Sequence, residues 1–210
     1  MNNRTETVLI VGASRGLGLE LAREYARLGW QVIGTVRSAT PPTGLHALAA
    51  EHAGRVRVEM VDINTPEQVA ALRKRLAGEC IDLLFVNAGI SNGAGETLSQ
   101  STTESFTRIM ITNALSPLRV IEACSDLMPR TGVITAMSSG LGSVANNTRA
   151  GWELYRASKA SLNTLLRGFS VRRGDGRSVL AVAPCPCGAR QGRSRMSYLR
   201  VIESQDTITT

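Results

Sequence analysis

The chain has 210 residues, 43% hydrophobic and 20% charged, which suits one compact α/β domain and excludes a disordered chain. No run approaches the ~18 consecutive apolar residues of a membrane helix; the start, Met-Asn-Asn-Arg-Thr-Glu-Thr, lacks the apolar stretch of a signal peptide; and Cys80, Cys124, Cys185 and Cys187 are too few and too unevenly placed for a disulfide framework, so a soluble cytoplasmic protein with no membrane partner is expected. The net charge of +7 is uneven, with 16 basic against 14 acidic residues over 1–165 and 8 against 3 over 166–210, but that basic tail has no series of aromatics to stack bases, so nucleic acid is not an expected partner.

Thr7–Val11 is short, β-branched and followed by Gly12, the pattern of a buried parallel strand. Leu17, Leu21, Ala22, Tyr25 and Leu28 then recur at helical spacing until Gly29 ends the helix. Gln31–Val36 is a second strand, and Pro41, Pro42 and Gly44 turn the chain into a short helix around Leu45–His52. Arg55–Val61 alternates into a third strand; Thr65 as N-cap, with Pro66 in the first turn, opens another helix. Ile81–Val86 is a fourth strand, Thr102–Leu127 one long helix, Gly132–Met137 a fifth strand, Trp152–Ser170 a helix and Ser178–Ala183 a sixth strand. Strands alternating with helices of this length imply right-handed crossovers and a parallel sheet covered on both faces. The expected fold is a Rossmann-type, doubly wound α/β domain of about six strands. After Pro184 the regularity fades, and no seventh strand is expected before Thr210.

The first strand runs into Gly12-Ala13-Ser14-Arg15-Gly16-Leu17-Gly18 and then a helix. Glycines here let the backbone turn tightly and approach a phosphate, while the helix N-terminus offers free N–H groups and the positive end of its dipole. The spacing Gly-x-x-x-Gly-x-Gly, placed after the first strand of an alternating fold, resembles the turn of the classical short-chain dehydrogenases/reductases. The resemblance extends from about Thr7 to Pro184. Asp62-Ile63 after the third strand resembles the pair that contacts adenine, and Asn87-Ala88-Gly89 after the fourth matches the family's Asn-Ala-Gly. Asn113 falls in the long helix where the family carries an asparagine, Ser138-Ser139 closes the fifth strand, and Tyr155-Arg-Ala-Ser-Lys159 matches Tyr-x-x-x-Lys.

Tyr155 and Lys159, four apart, share one helix face, and an ammonium beside a phenol favours the phenolate, so the Tyr155 pKa is expected below its usual ~10. The resemblance implies a proton relay in which Tyr155 exchanges a proton with the substrate oxygen and Lys159 also holds the nicotinamide ribose. It further implies that Ser139, rather than Ser138, hydrogen-bonds the carbonyl or hydroxyl and that Asn113 holds a water. The cofactor contacts it implies are Gly12, Ser14, Arg15, Gly16, Leu17, Gly18, Asp62, Ile63, Asn87, Ala88, Gly89, Tyr155, Lys159 and Pro184. Each residue has a plainer reading: an exposed helix pair for Tyr155 and Lys159, a turn cap for Asn87, a strand end for Asp62, loop chemistry for Ser138-Ser139-Gly140. Lys159 is one of two lysines among 22 arginines, which suits a site needing a compact ammonium.

Enzymes that prefer NADH place a carboxylate at the end of the second strand. Here the segment reads Gly34-Thr35-Val36-Arg37-Ser38, and Arg37 with Arg15 would attract a 2′-phosphate through paired, charge-assisted hydrogen bonds. NADPH is therefore favoured over NADH. The chain is expected to be an enzyme that reduces a ketone or aldehyde, or oxidises an alcohol in reverse, and its short length and Gly-Thr-Val-Arg strand end resemble the small carbonyl reductases of sniffer or C-factor type. The alternative is a dinucleotide-binding protein with little catalysis, because the C-terminus departs from the family: Cys185 stands where glycine is usual and Ala189 where threonine is usual. Cys185 and Cys187 without nearby histidines make half a metal site at best, so no metal is expected. Residues 1–184 are the cofactor-binding and catalytic body, and 185–210 an atypical basic segment of the same domain. Apolar residues on more than one face of the two long helices, Ile109, Ile111, Leu115, Leu118, Val120 and Ile121 on the first and Leu162, Leu165, Leu166 and Phe169 on the second, point to a homodimer.

Overall fold

A computed structural model describes residues 4–93, 95–184 and 199–203. Seven strands form one sheet in the order β3-β2-β1-β4-β5-β6-β7. They are β1 (Thr7–Val11), β2 (Gln31–Val36), β3 (Val56–Met60), β4 (Leu83–Val86), β5 (Val133–Met137), β6 (Ser178–Pro184) and β7 (Leu199–Glu203). The first six are parallel. The expected end of the sheet at six strands is corrected: β7 pairs antiparallel with β6, Leu199 opposite Pro184 and Arg200 opposite Ala183. Leu-Arg-Val-Ile-Glu is an alternating segment too short to stand out in an arginine-rich tail. An antiparallel partner needs no helical crossover, only a chain long enough to return.

β1 is buried along its whole length, and its alternation feeds two cores. Leu9 and Val11 face α3 (Pro66–Arg75), α5 (Ser116–Cys124) and α6 (Glu153–Arg173) through Leu72, Ile121 and Leu162. Val8 and Ile10 face α1 (Gly16–Arg27) and α2 (Gly44–Glu51) through Leu21, Ala22, Leu45 and Leu48. Because β1 is flanked by β2 and β4, chain direction through the sheet reverses beside it, and a cleft opens at the carboxyl ends of β1 and β4.

Three helix ends carry physical detail. Gly29 (φ +90°) and Gly174 (φ +59°) close α1 and α6 in the left-handed region. Thr65 is the N-cap of α3 as expected, but its hydroxyl makes no capping bond; Pro66 follows at the first position. The long helix expected over 102–127 is interrupted. α4 (Thr103–Met110) passes into a π turn at Ile111–Leu115 before α5 begins. Pro117 has no N–H to give the carbonyl of Asn113 four residues back, so an unbroken α-helical ladder is impossible there.

Candidate active site

The cleft at the strand ends holds about 330 Å³ and is lined by Gly12, Ser14, Arg15, Gly16, Arg37, Asp62, Ile63, Asn87, Ala88 and Gly89, among others. Its floor is backbone. The N–H groups of Asn87 and Ala88 both donate to the Val11 carbonyl at 2.9 Å, Asn87 Nδ2 donates to the Gly12 carbonyl at 2.9 Å, and the Gly12 N–H donates to Thr35 Oγ1 at 3.0 Å. A Cβ on Gly12 would stand 2.8 Å from the Ala88 nitrogen, and one on Gly18 would stand 2.2 Å from the Gly12 carbonyl oxygen. Only glycine fits either place. Gly16 is different: a Cβ there meets nothing within 4 Å, and its requirement is the left-handed φ of +59°.

The first-turn N–H groups of α1 open on this cleft, and Arg15 at the N-cap supplies no side-chain acceptor for them. The first turn carries no acid. An unspent donor set at a positive dipole end fits a pyrophosphate. Arg37, exposed just past β2, lines the same cleft as Arg15. Asp62 also lines it while capping its own loop, Oδ1 accepting from the Asn64 N–H at 2.9 Å. Leu17 packs against the α1–α2 core instead, Gly18 lies behind Gly12, and Pro184 ends β6 exposed, outside the cleft's lining.

Arg15, Asn87, Gly89 and Ile90 are shared with a second, larger cavity of about 650 Å³ that holds Ser139, Tyr155 and Lys159. Ser139 caps a short turn, its hydroxyl accepting from the Leu141 N–H at 3.1 Å, and it hydrogen-bonds Tyr155. Ser138 instead donates to Asn163 Oδ1 at 2.6 Å inside the core. Lys159 is 3% exposed; its Nζ donates to the Met137 carbonyl at 2.8 Å and stands 5.7 Å from the centre of the Tyr155 ring. Burial lowers its pKa to about 8.

The expectation of a lowered Tyr155 pKa is corrected for the free protein. Burial raises it above the ordinary tyrosine value, and the Ser139 hydrogen bond opposes that only in part. The helical spacing of Tyr155 and Lys159 is visible in sequence; how deeply the fold buries both is not.

Asn113 does not reach the cavity with its side chain. It is wholly buried, and its amide is fully used: Nδ2 donates to the Ile90 carbonyl at 2.7 Å and to Ser158 Oγ at 2.9 Å, and Oδ1 accepts from the Ile90 N–H at 2.8 Å. The side chain therefore straps the loop after Asn87-Ala88-Gly89 to α6.

Thr35, Asn64, Thr112 and Trp152 also belong to the site, and no sequence motif marks them. Asn64 lines the cleft and joins it to the π turn, Nδ2 donating to Thr112 Oγ1 at 3.0 Å and Oδ1 accepting from Ser116 at 2.8 Å. Its position two residues after Asp62 was the available signal. Trp152 lines the larger cavity, its ring edge-on to Tyr155 at 6.2 Å, and is the only non-glycine described residue with positive φ (60°). For a bulky side chain that conformation costs about 1–3 kcal/mol.

Among the described residues no group of histidine, cysteine, aspartate and glutamate could hold a metal, and no helix is long and apolar enough to cross a membrane. Cys185, Cys187 and Ala189 lie outside the described residues.

The model of the short chain dehydrogenase family matches residues 6–194. Solved structures agree. A short-chain dehydrogenase/reductase from Burkholderia multivorans with bound NADP is 47% identical, with a TM-score of 0.84 over 87% of this chain and 80% of its own. A carbonyl reductase from Pseudomonas aeruginosa PAO1 in complex with NADP is 37% identical, with a TM-score of 0.76 over 80% of this chain and 76% of its own. The carbonyl reductase Sniffer of D. melanogaster is 25% identical, with a TM-score of 0.76 over 86% of this chain and 79% of its own.

Proposed function

The chain belongs to the short chain dehydrogenase family, and from that premise we propose that it is an oxidoreductase that uses NADPH to reduce a ketone or aldehyde, or in reverse to oxidise an alcohol. The observation that carries the reading is continuity. The glycine-floored cleft and the cavity holding Ser139, Tyr155 and Lys159 share one wall, so residues that would hold a dinucleotide adjoin residues that would act on a substrate. The bound nicotinamide supplies the hydride. Ser139 and Tyr155 orient the carbonyl oxygen, and Tyr155, held protonated by burial, gives it a proton as the carbon is reduced. Lys159, charged below about pH 8, lies close enough to steady the phenolate that remains. Asn113 fixes the Ile90 loop that walls both compartments.

NADPH is the preferred form because Arg37 and Arg15 flank the cleft and the end of β2 offers no carboxylate. The bound NADP of the Burkholderia and Pseudomonas relatives supports the same choice. A homodimer in the cytoplasm completes the proposal: Phe106 on α4, Leu115 in the π turn and Leu165 on α6 are 41%, 41% and 43% exposed, an apolar surface on the elements expected to pair. The test is NADPH titration alongside a panel of aldehydes and ketones followed by loss of NADPH absorbance. Tight binding with turnover of at least one carbonyl is expected; tight binding without turnover of any would favour the non-catalytic dinucleotide-binding reading. Sedimentation at micromolar concentration should give twice the chain mass of 22.4 kDa.

A further inference from the structure

The geometry points to Trp152 as the residue that selects the substrate, and to carbonyl compounds bearing an aryl group as the class selected; this rests on the reductase reading above. Two unfavourable choices meet at Trp152. It holds φ 60° and ψ 29° with a bulky side chain, and it occupies the N-cap of α6, where Ser, Thr, Asp or Asn would satisfy a free N–H, without making any side-chain capping bond. Neither choice serves the helix. Both place an indole beside the groups that would do the chemistry.

The ring stands edge-on to Tyr155 at 6.2 Å and shares the cavity with Ile90, Met137 and Leu141. Ser139 and Tyr155 line the cavity together with Ile90, Met137, Leu141 and Trp152, so a carbonyl oxygen anchored on the two hydroxyls has its substituent within a cavity that also presents apolar side chains. An aryl substituent matches an indole best, because aromatic rings gain from offset or edge-on contact beyond the area they bury. Because α6 also carries Tyr155 and Lys159, wall and proton donor are fixed on one rigid element.

Trp152→Gly tests this without adding strain, since glycine adopts the left-handed conformation freely; Trp152→Asn, also tolerant of it, is the second variant should the first fold poorly. Expected is a fall in kcat/KM for benzaldehyde roughly tenfold greater than that for propanal, with Trp152→Phe holding the ratio of the two to within about threefold of wild type. Equal falls for both aldehydes would overturn the inference. A second readout needs no turnover. Trp30, packed on Tyr25, is the other tryptophan, so in a Trp30→Phe background the emission reports Trp152 alone. Saturable change on adding 1-phenylethanol, and none with 2-propanol, is expected; no saturable change with 1-phenylethanol would overturn the inference. A wild type that turns over no carbonyl would defeat the reductase reading, while the fluorescence titration would still decide Trp152.

Discussion

The two compartments of the site are built from different materials. The proposed cofactor cleft has a floor of backbone: strand ends, a helix N-terminus, and glycines packed so closely that a single methyl at Gly18 would lie 2.2 Å from a carbonyl oxygen. The proposed catalytic cavity is made of side chains whose properties the fold sets by burial, with Lys159 lowered to about 8 and Tyr155 raised. Backbone sites fail by steric exclusion, and side-chain sites fail by losing one chemical group. Substitutions in the two compartments should therefore damage different steps.

The largest expected effect is on the catalytic side. Tyr155→Phe deletes the proposed proton donor and leaves the ring in place; carbonyl-dependent NADPH oxidation should fall on the order of 1,000-fold, a typical contribution from general acid catalysis. Turnover within about threefold of wild type would remove Tyr155 from the chemistry.

On the cofactor side, Gly18→Ala forces the Gly12 turn to move, and NADPH affinity by titration should fall roughly 100-fold, with a stability loss of about 1–3 kcal/mol. Gly16→Ala is the internal control. It meets only the cost of its left-handed backbone, about 1–2 kcal/mol, with a smaller change in affinity. Similar losses of NADPH affinity for both would show that the close packing of Gly12 and Gly18 is not what shapes the cleft.

Arg37→Ala comes next. Losing a charge-assisted contact of about 1.5–3 kcal/mol weakens NADPH roughly ten- to a hundredfold, while NADH, which lacks the 2′-phosphate, changes little. Weakening of both cofactors alike would assign Arg37 to the adenine or to the fold.

These contrasts also explain what the sequence could say. β1, β2 and the glycine turn were readable residue for residue because a buried strand and a tight turn each demand a narrow set of residue types. The Tyr155–Lys159 pair and the proposal of Ser139 over Ser138 rest on spacing and family resemblance; in the structure Ser139 lines the same cavity as Tyr155, while Ser138 donates to Asn163 in the core. The π turn was not read, although Pro117 carried the signal, because helical periodicity continues through it. The direction of the Tyr155 shift was misjudged because a neighbouring ammonium is visible in sequence and burial is not. β7 was missed for want of any local signal stronger than its alternation.

The smallest expected effect is thermodynamic. Lys159 has a folded pKa of about 8 against an ordinary value of 10.5. Below pH 8 it is charged in both folded and unfolded chains, and its burial destabilises the protein. Between pH 8 and 10.5 the folded chain sheds the proton while the unfolded chain keeps it, so stability rises with pH across that window. Lys159→Met should therefore be more stable than wild type at pH 7 by about 1–2 kcal/mol, net of the lost bond to the Met137 carbonyl, with the difference shrinking toward pH 10 in thermal melts. A difference independent of pH would show that the lysine is not held against its charge.

Separation of the two compartments is tested most directly by NADPH affinity across wild type, Arg37→Ala, Tyr155→Phe and the double variant. Arg37→Ala should weaken NADPH roughly ten- to a hundredfold on either background, Tyr155→Phe should change it by no more than about threefold, and the two should add to within about 0.5 kcal/mol. A loss of affinity in Tyr155→Phe as large as that in Arg37→Ala, or a coupling above about 1 kcal/mol between them, would contradict a site in which one compartment holds the cofactor and the other does the chemistry.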